Sequence, residues 1–322
     1  MNINEKQIKL WSAIGPRAAF GLSALDFAKE FNDLMILTCD VSTSAGLDRF
    51  KNQFKDKYLD LGIAEQNLIG VASGLASENY RVVTTTFAPF QTMRCNEQIK
   101  VNLGYMKKNI CMVGIASGLV LGTLGYTHCC IEDIGAIRSI PGLTIVSPAD
   151  SLETVKSIRE IIKNKIPAYV RLTGSSNNPI VYEKDYEFKI GKSILLKDGE
   201  QVVIYCNGAS VYRCIEASKI LEEKKINTKV VNMHTVKPLD EEEVKNSCKK
   251  AELIVSVEEH NIIGGLGSAI SETISKLKNS PRHLSLGVKD AYGKCGNYKF
   301  MLEKHRLTPE KIVEDILYSL KN

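Results

Sequence analysis

The sequence predicts two α/β domains, each a mostly parallel sheet covered by helices, and three observations carry that prediction. The chain has 322 residues, more than one hydrophobic core usually serves, so two domains are expected. Short apolar runs of strand length alternate with longer stretches of helical period along most of the chain. A polar stretch closed by proline, Gly174-Ser-Ser-Asn-Asn-Pro179, interrupts the alternation, which then restarts.

In order along the chain, Leu34–Thr38 reads as a strand. Ile63–Ser77 reads as a helix, because Ile63, Leu68, Val71 and Leu75 recur near a 3.6 period. Arg81–Thr86, Ile110–Gly114 and Leu143–Val146 are strands. Ser151–Lys163 is a helix that opens on a serine with Glu153 close behind, and Ala168–Leu172 is again a strand. After the breaker come strands at Gln201–Tyr205, Lys229–Asn232 and Leu253–Val257. Between and after them lie helices at Ser210–Glu223, Leu239–Cys248 and Gly267–Lys278. The last helix, Thr308–Leu320, starts with Thr308-Pro309, an N-cap residue followed by proline at the first helical position. The division expected is residues 1–178 for the first domain, 179–192 for a linker and 193–322 for the second domain.

Composition excludes several classes. With 44% hydrophobic and 25% charged residues, the chain is neither disordered nor fibrous. Its net charge of +5 is too small and too dispersed to point to nucleic acid. Met1–Leu10 is polar and charged without an apolar core, so no export signal is expected and the reading is cytoplasmic. The nine cysteines include no C-x-x-C pair and stand singly except for Cys129-Cys130, a pattern of reduced thiols. A zinc site at His128-Cys129-Cys130 is disfavoured, because adjacent side chains point apart. Asn109–Ile131 contains no Asp, Glu, Lys or Arg and imitates a membrane span. Its four glycines, the β-branched run at Val113 and Ile115, and His128 instead suit a buried strand and a tight loop, so no membrane association is expected.

The segment richest in chemistry is Asp60-Leu-Gly-Ile-Ala-Glu-Gln-Asn67. A strand end runs through a glycine turn into a helix that carries Glu65 in its first turn. Open α/β sheets bind ligands at the carboxyl ends of their strands, where Glu65 would sit. By local pattern alone, Glu65 is equally a first-turn glutamate favoured by the helix dipole.

The surrounding words resemble the transketolase family of thiamine-diphosphate enzymes. They are Asp60–Ala76 (DLGIAEQNLIGVASGLA), Thr85–Phe90 (TTFAPF), Gly125–His128 (GYTH) with Ile131–Ile134 (IEDI), and Ile140–Asp150 (IPGLTIVSPAD). In the second half they are Thr235–Asp240 (TVKPLD), Glu258–Gly267 (EEHNIIGGLG) and the KDAYG that starts at Lys289. The resemblance covers nearly the whole chain and implies two doubly wound α/β domains, a pyrimidine-binding domain and a transketolase C-terminal domain. The family's diphosphate domain, with its Gly-Asp-Gly magnesium motif, has no counterpart in this sequence. The resemblance is therefore to the C-terminal subunit of a split transketolase. It implies that an N-terminal partner subunit carries the Mg2+ ligands, with self-association in an α2β2 assembly.

Position by position, Glu65 matches the catalytic glutamate. A carboxyl group bonded to the cofactor's aminopyrimidine nitrogen favours the imino tautomer, which serves as internal base. Phe90 matches the aromatic that stacks on the pyrimidine, Phe87 a second pocket aromatic, and Asp40 a cofactor-pocket aspartate. His128 matches the histidine that faces the substrate and can donate a hydrogen bond or shuttle a proton. Arg17 and Ser44 match two positions of the grip on a sugar phosphate. The phenylalanines and His128 have bland alternatives: core packing for the former, a structural loop role for the latter. His260 matches a family motif and is read as structural or as a subunit contact.

Four positions depart from the family. Gly174 stands where an arginine is expected, Ala116 where a pocket histidine is, Leu124 where an aspartate touches a substrate hydroxyl, and Met93 where an aromatic is. These departures put ordinary pentose phosphates in doubt as substrates. The expected function is two-carbon ketol transfer from a ketose to an aldose, on a sugar or sugar phosphate, in a specialised carbohydrate pathway. The alternatives are a 2-oxo-acid dehydrogenase β subunit, a deoxyxylulose-phosphate-synthase-like enzyme and a non-catalytic regulatory subunit.

Overall fold

A computed structural model describes residues 3–322. The strands are β1 (Leu34–Thr38), β2 (Tyr58–Asp60), β3 (Arg81–Phe87), β4 (Ile110–Ile115), β5 (Thr144–Val146) and β6 (Ala168–Arg171), followed by β7 (Ile194–Lys197), β8 (Val202–Cys206), β9 (Thr228–Asn232), β10 (Thr235–Lys237), β11 (Leu253–Asn261) and β12 (Arg282–Val288). They form a seven-stranded sheet of order β10-β5-β6-β4-β3-β1-β2 and a five-stranded sheet of order β12-β11-β8-β9-β7. Only β10 on β5 and β7 on β9 run antiparallel.

Both faces of the first sheet are covered, and the alternation along its strands explains how. Ile36, Val83 and Val113 face the helices Glu5–Glu30 and Ser151–Asn164, with Phe20, Phe27 and Ile158 in one buried cluster. Their neighbours Leu37, Val82 and Met112 face the opposite way, against Leu68, Ile69 and Ala72 of the helix Glu65–Ser77. Strands buried on both faces read as continuous apolar runs. That is why Ile110–Ile115 resembles part of a membrane span; every residue of this strand is buried in the sheet. Among the described residues no helix is long and apolar enough to cross a membrane.

The helix Glu5–Glu30 has no counterpart in the sequence reading. It opens with a reciprocal cap, in which the Gln7 N–H donates to the Asn4 side chain and the Asn4 N–H to the Gln7 side chain. At Gly15, with φ +81°, the helix breaks ahead of Pro16. The pair Gly15-Pro16 hides the helix from a periodicity scan. Elsewhere the helix predicted from Ile63 starts at Glu65, and Ile63 itself is 76% exposed. The helix Ser151–Asn164 is capped by Asp150, one residue earlier than the serine suggests: Asp150 Oδ1 accepts from the Glu153 N–H at 2.9 Å. At the last helix, Pro309–Lys321, Pro309 takes the first position, but the Thr308 side chain makes no capping bond.

Two polar clusters join the halves. Arg171, at the end of β6, is fully buried against Asp133 of the short helix Asp133–Ile137. Its Nε donates to Asp133 Oδ2 at 2.8 Å, and Tyr169 donates to the same oxygen at 2.6 Å. Arg171 Nη2 donates to the Cys130 carbonyl at 3.0 Å and to the Glu259 carbonyl of β11 at 2.8 Å, so one guanidinium spans both domains. His260 is structural in the same seam: its Nδ1 donates to the Asn261 carbonyl, and its Nε2 accepts from the Gly135 N–H at 3.2 Å.

The second cluster fastens the extended segment before β7. Asp150 Oδ2 accepts from the backbone N–H groups of Val181 and Tyr182 at 2.9 and 3.0 Å. Glu153 accepts from the Tyr186 hydroxyl at 2.7 Å and from Asn232 of β9 at 2.9 Å. Burial first, and then its neighbour Glu153, pushes the Asp150 carboxyl up to about 6.

Two outcomes are expected. Arg171→Met leaves Asp133 charged and buried without a counter-ion, and unfolding in denaturant should show a loss of about 3–5 kcal/mol. Adding Asp133→Asn should recover part of it; an unchanged midpoint in the single variant would dismiss the pair as a tie between domains. Asp150, with its pKa raised in the fold, binds its proton more tightly there than in the unfolded chain. Its contribution is complete below about pH 3.8 and is lost as pH rises through about 6. Relative to Asp150→Asn, the wild type should therefore lose about 2–3 kcal/mol between pH 4 and pH 7, at 1.36 kcal/mol per unit.

Candidate active site

The carboxyl ends of β1, β2, β3 and β4 lie side by side, and each is followed by a segment that carries at least one candidate residue. After β1 the chain turns at Asp40, an exposed residue with φ +56°. After β2 it turns at Gly62, whose φ of +63° suits glycine, and enters the helix Glu65–Ser77. Asp60 ties these two turns together: its Oδ1 accepts from the Asp40 N–H at 2.9 Å and from the Gly62 N–H at 3.0 Å. Although partial burial opposes it, these donors hold the Asp60 carboxyl below its ordinary value.

Glu65 is 4% exposed at the helix N-terminus, where the dipole favours its negative charge. Its side-chain partner is Arg94, whose Nη1 donates to Glu65 Oε2 at 2.7 Å. The same guanidinium lies over the Phe90 ring, with Cζ 4.1 Å from the centroid. The thiols of Cys39 and Cys95 have Glu65 in their electrostatic surroundings and are pushed up by burial to about 11 and 12, so they remain neutral lining.

Phe87 ends β3, and Phe90 follows in the short helix Ala88–Thr92. Both pack edge-on to the His128 ring, with centroids 6.3 and 5.6 Å away. The structure thus brings Phe87, Phe90 and His128 together, and joins Glu65 to Phe90 through Arg94. His128 Nδ1 lies 3.0 Å from the Thr127 hydroxyl.

The loop that carries His128 is held by the other domain. Tyr126 and His305 share a hydrogen bond of 2.8 Å, and the Tyr292 hydroxyl donates to Glu132 at 2.7 Å. A Cβ at Gly122 would come within 2.5 Å of the Gly296 carbonyl, so only glycine allows this approach.

Arg17 and Ser44 belong to a neighbouring seam. The helix Glu5–Glu30 is broken beside Arg17, and the turn Ala45-Gly46 packs on it, with Gly46 against Ala18 and the Arg17 carbonyl. Gly15 abuts the Ser175 backbone, which brings Gly174 to the same seam. Arg17 is half-buried with no carboxylate within ion-pair distance among the described residues, and burial lowers its pKa from the ordinary value. Such a cation suits an anionic ligand. Of the departures, Leu124 is 55% and Met93 46% exposed, whereas Ala116 is buried with φ +54°.

The sequence reading missed Arg94. Nothing around Met93-Arg-Cys95 marks this arginine as special; only the fold sets it between Glu65 and Phe90.

The arrangement offers a carboxylate and an aromatic face that together grip a flat cationic group bearing N–H donors, as the Arg94 guanidinium shows. An aminopyrimidine protonated at its ring nitrogen makes the same two demands, so these residues fit the pyrimidine end of thiamine diphosphate.

Comparison with known proteins agrees with this geometry. The family model for the transketolase pyrimidine-binding domain matches residues 12–178, and that for the transketolase C-terminal domain matches residues 191–312. The chain is 35% identical to a putative transketolase C-terminal section of Methanocaldococcus jannaschii, covering 95% of this chain and 96% of the relative. It is 33% identical to one subunit of an apulose-4-phosphate transketolase from Phocaeicola vulgatus, over 96% of this chain and 98% of the relative. It is also 35% identical to a 6-deoxy-6-sulfo-D-fructose transketolase subunit of a Clostridium species, over 90% and 89%. Among solved structures, a split-gene transketolase described as an inactive β4 tetramer superimposes with a TM-score of 0.86 at 31% identity, over 96% of this chain and 99% of that one.

Proposed function

The chain belongs to the transketolase family, and from that premise we propose that it is the C-terminal subunit of a two-chain, thiamine-diphosphate-dependent transketolase. It would transfer a two-carbon ketol unit from a ketose to an aldose. The observation that carries the reading is the buried Glu65 carboxylate at the strand ends, joined through Arg94 to the Phe90 face. A regulatory subunit without chemistry has no need of a buried carboxylate there.

When bound, thiamine diphosphate would supply nucleophilic-carbon and electron-sink chemistry. The residues of this chain act around its pyrimidine. The Glu65 carboxyl would hold or give up a proton at the ring nitrogen and so favour one tautomer. Phe90 orients the ring by stacking, Phe87 closes the pocket behind it, and Asp40 borders it. His128 donates to the substrate carbonyl or hydroxyls and moves a proton there.

Arg17 and Ser44 receive an acidic group on the substrate. Two of the relatives are named for acidic sugars, one a phosphate and one a sulfonate. With Gly174, Ala116 and Leu124 in place of polar contacts, ordinary pentose phosphates fit poorly and a different acidic or modified sugar fits better.

The N-terminal partner carries the diphosphate and Mg2+ ligands, and the working assembly is an α2β2 heterotetramer in the cytoplasm. The name of the superimposed structure, an inactive β4 tetramer, supports a chain that self-associates but needs its partner for turnover.

The deciding experiment mixes this chain with the N-terminal subunit and supplies a panel of ketoses, aldoses and 2-oxo acids. Magnesium-dependent cofactor binding and ketol transfer should appear in the mixture and be absent from this chain alone. Decarboxylation of a 2-oxo acid without ketol transfer would favour the dehydrogenase reading. Xylulose 5-phosphate with ribose 5-phosphate should fall below about 10⁴ M⁻¹s⁻¹ in kcat/KM, the low end of the usual enzyme range. A value above that would mean that other groups replace the missing grip. Glu65→Gln keeps the side-chain size but removes the ionisable group. In the mixture it should lower kcat by about a hundredfold or more with the fold intact; near-normal kcat would reduce Glu65 to a helix-start residue.

A further inference from the structure

We propose that Arg94 is an internal stand-in for the cofactor's pyrimidine. It would occupy the Glu65–Phe90 site before the cofactor binds, and have to swing out to admit it. The inference rests on the family reading above and concerns a residue to which that reading gives no task.

The geometry carries it. The guanidinium satisfies both demands of the pyrimidine site at once: an N–H on Glu65 Oε2 at 2.7 Å and a cationic plane 4.1 Å from the Phe90 centroid. A ring bonded to Glu65 and stacked on Phe90 draws on the same carboxylate and the same aromatic side chain, so arginine and pyrimidine compete for them. Arginine suits the part because its fork is planar, delocalised and permanently charged.

Its anchoring fits a swinging arm. The backbone is fixed: the Arg94 N–H donates to the Pro89 carbonyl at 3.4 Å, and its carbonyl accepts from Gln66 Nε2 at 3.1 Å. The side chain, in contrast, is 42% exposed on its outer side, whereas its partner Glu65 is 4% exposed. Its hydrogen bonds to side chains end at Glu65. In the tie between the domains, by contrast, both Arg171 and Asp133 are packed.

The arrangement also solves a physical problem. While no pyrimidine is present the buried Glu65 side chain would otherwise lack a partner, and an unpaired buried carboxylate is costly. Arg94 supplies the counter-charge in that interval. The cofactor then sees only the fraction of molecules with the arm open, and its apparent affinity is lowered by that fraction.

The test uses this chain combined with its N-terminal subunit, in wild-type, Arg94→Ala and Arg94→Lys forms. Thiamine diphosphate is the probe, followed by rapid-filtration binding and calorimetry, so the readout is independent of turnover. Arg94→Ala should bind the cofactor about tenfold faster or more and with a lower Kd. Arg94→Lys, which keeps the charge but not the flat fork, should fall between. In Arg94→Ala, millimolar methylguanidine should refill the site and slow cofactor binding again, an effect absent from the wild type.

If the alanine form misfolds, the lysine form still decides, because a faster association there separates the stand-in from a structural role. An association rate unchanged or slower in both variants, with the wild-type complex binding normally, overturns the proposal and leaves the family reading intact. Failure of all three complexes to bind thiamine diphosphate overturns the family reading, and this inference with it.

Discussion

Everything at the strand ends depends on one buried ion pair. Arg171 sits at the last residue of β6 and would be intolerable there alone, because a guanidinium removed from water must find its charge and its hydrogen bonds inside the protein. It finds the charge in Asp133 and the remaining acceptors in two carbonyls, one from each half of the chain. Cys130 lies two residues beyond His128, and Glu259 lies on β11 of the other sheet. The pair therefore fixes where the His128 loop ends and how far the second sheet stands from it. Arg213 and Tyr298 complete the arrangement by bonding the Glu259 carboxylate, whose other oxygen meets the Leu119 N–H at the start of the same loop.

The site follows from this division of labour. The first domain contributes every candidate group, most of them just past the end of a parallel strand. The second contributes none of them and instead braces the loop through Tyr292, His305 and the Gly296 backbone. Candidate groups and their support are thus segregated by domain: Tyr292 of KDAYG and Glu259 and His260 of EEHN brace the first domain and supply no candidate group.

Legibility from sequence varies with the kind of signal. Strands buried on both faces declare themselves as apolar runs, as at Ile110–Ile115. The helix that presents Glu65 is visible through its glycine turn and its 3.6 period. The helix Glu5–Glu30 is not, because Gly15 and Pro16 break the local pattern while Trp11, Phe20 and Phe27 bury both pieces in one cluster. Ile63 illustrates the opposite error: it has the right spacing but lies before the helix begins, and so faces solvent. Arg94 and Arg171 are invisible for a common reason. An arginine on a turn or at a strand end looks solvated until the fold brings a carboxylate to it. The family words identify Glu65, Phe90 and His128 only as matching positions; their convergence at one sheet end is a property of the folded chain.

One short element alters how this chain must come into being. β10 lies in the second half of the sequence, yet it completes the first sheet by pairing antiparallel with β5. While the protein emerges from the ribosome, the first sheet can assemble through β6 and still present β5 as a bare border. The missing neighbour arrives only after the extended crossing and the first strands of the second sheet have been synthesised. The first domain is thus finished by its successor, and a nascent chain halted between them is a sheet with an open, adhesive margin.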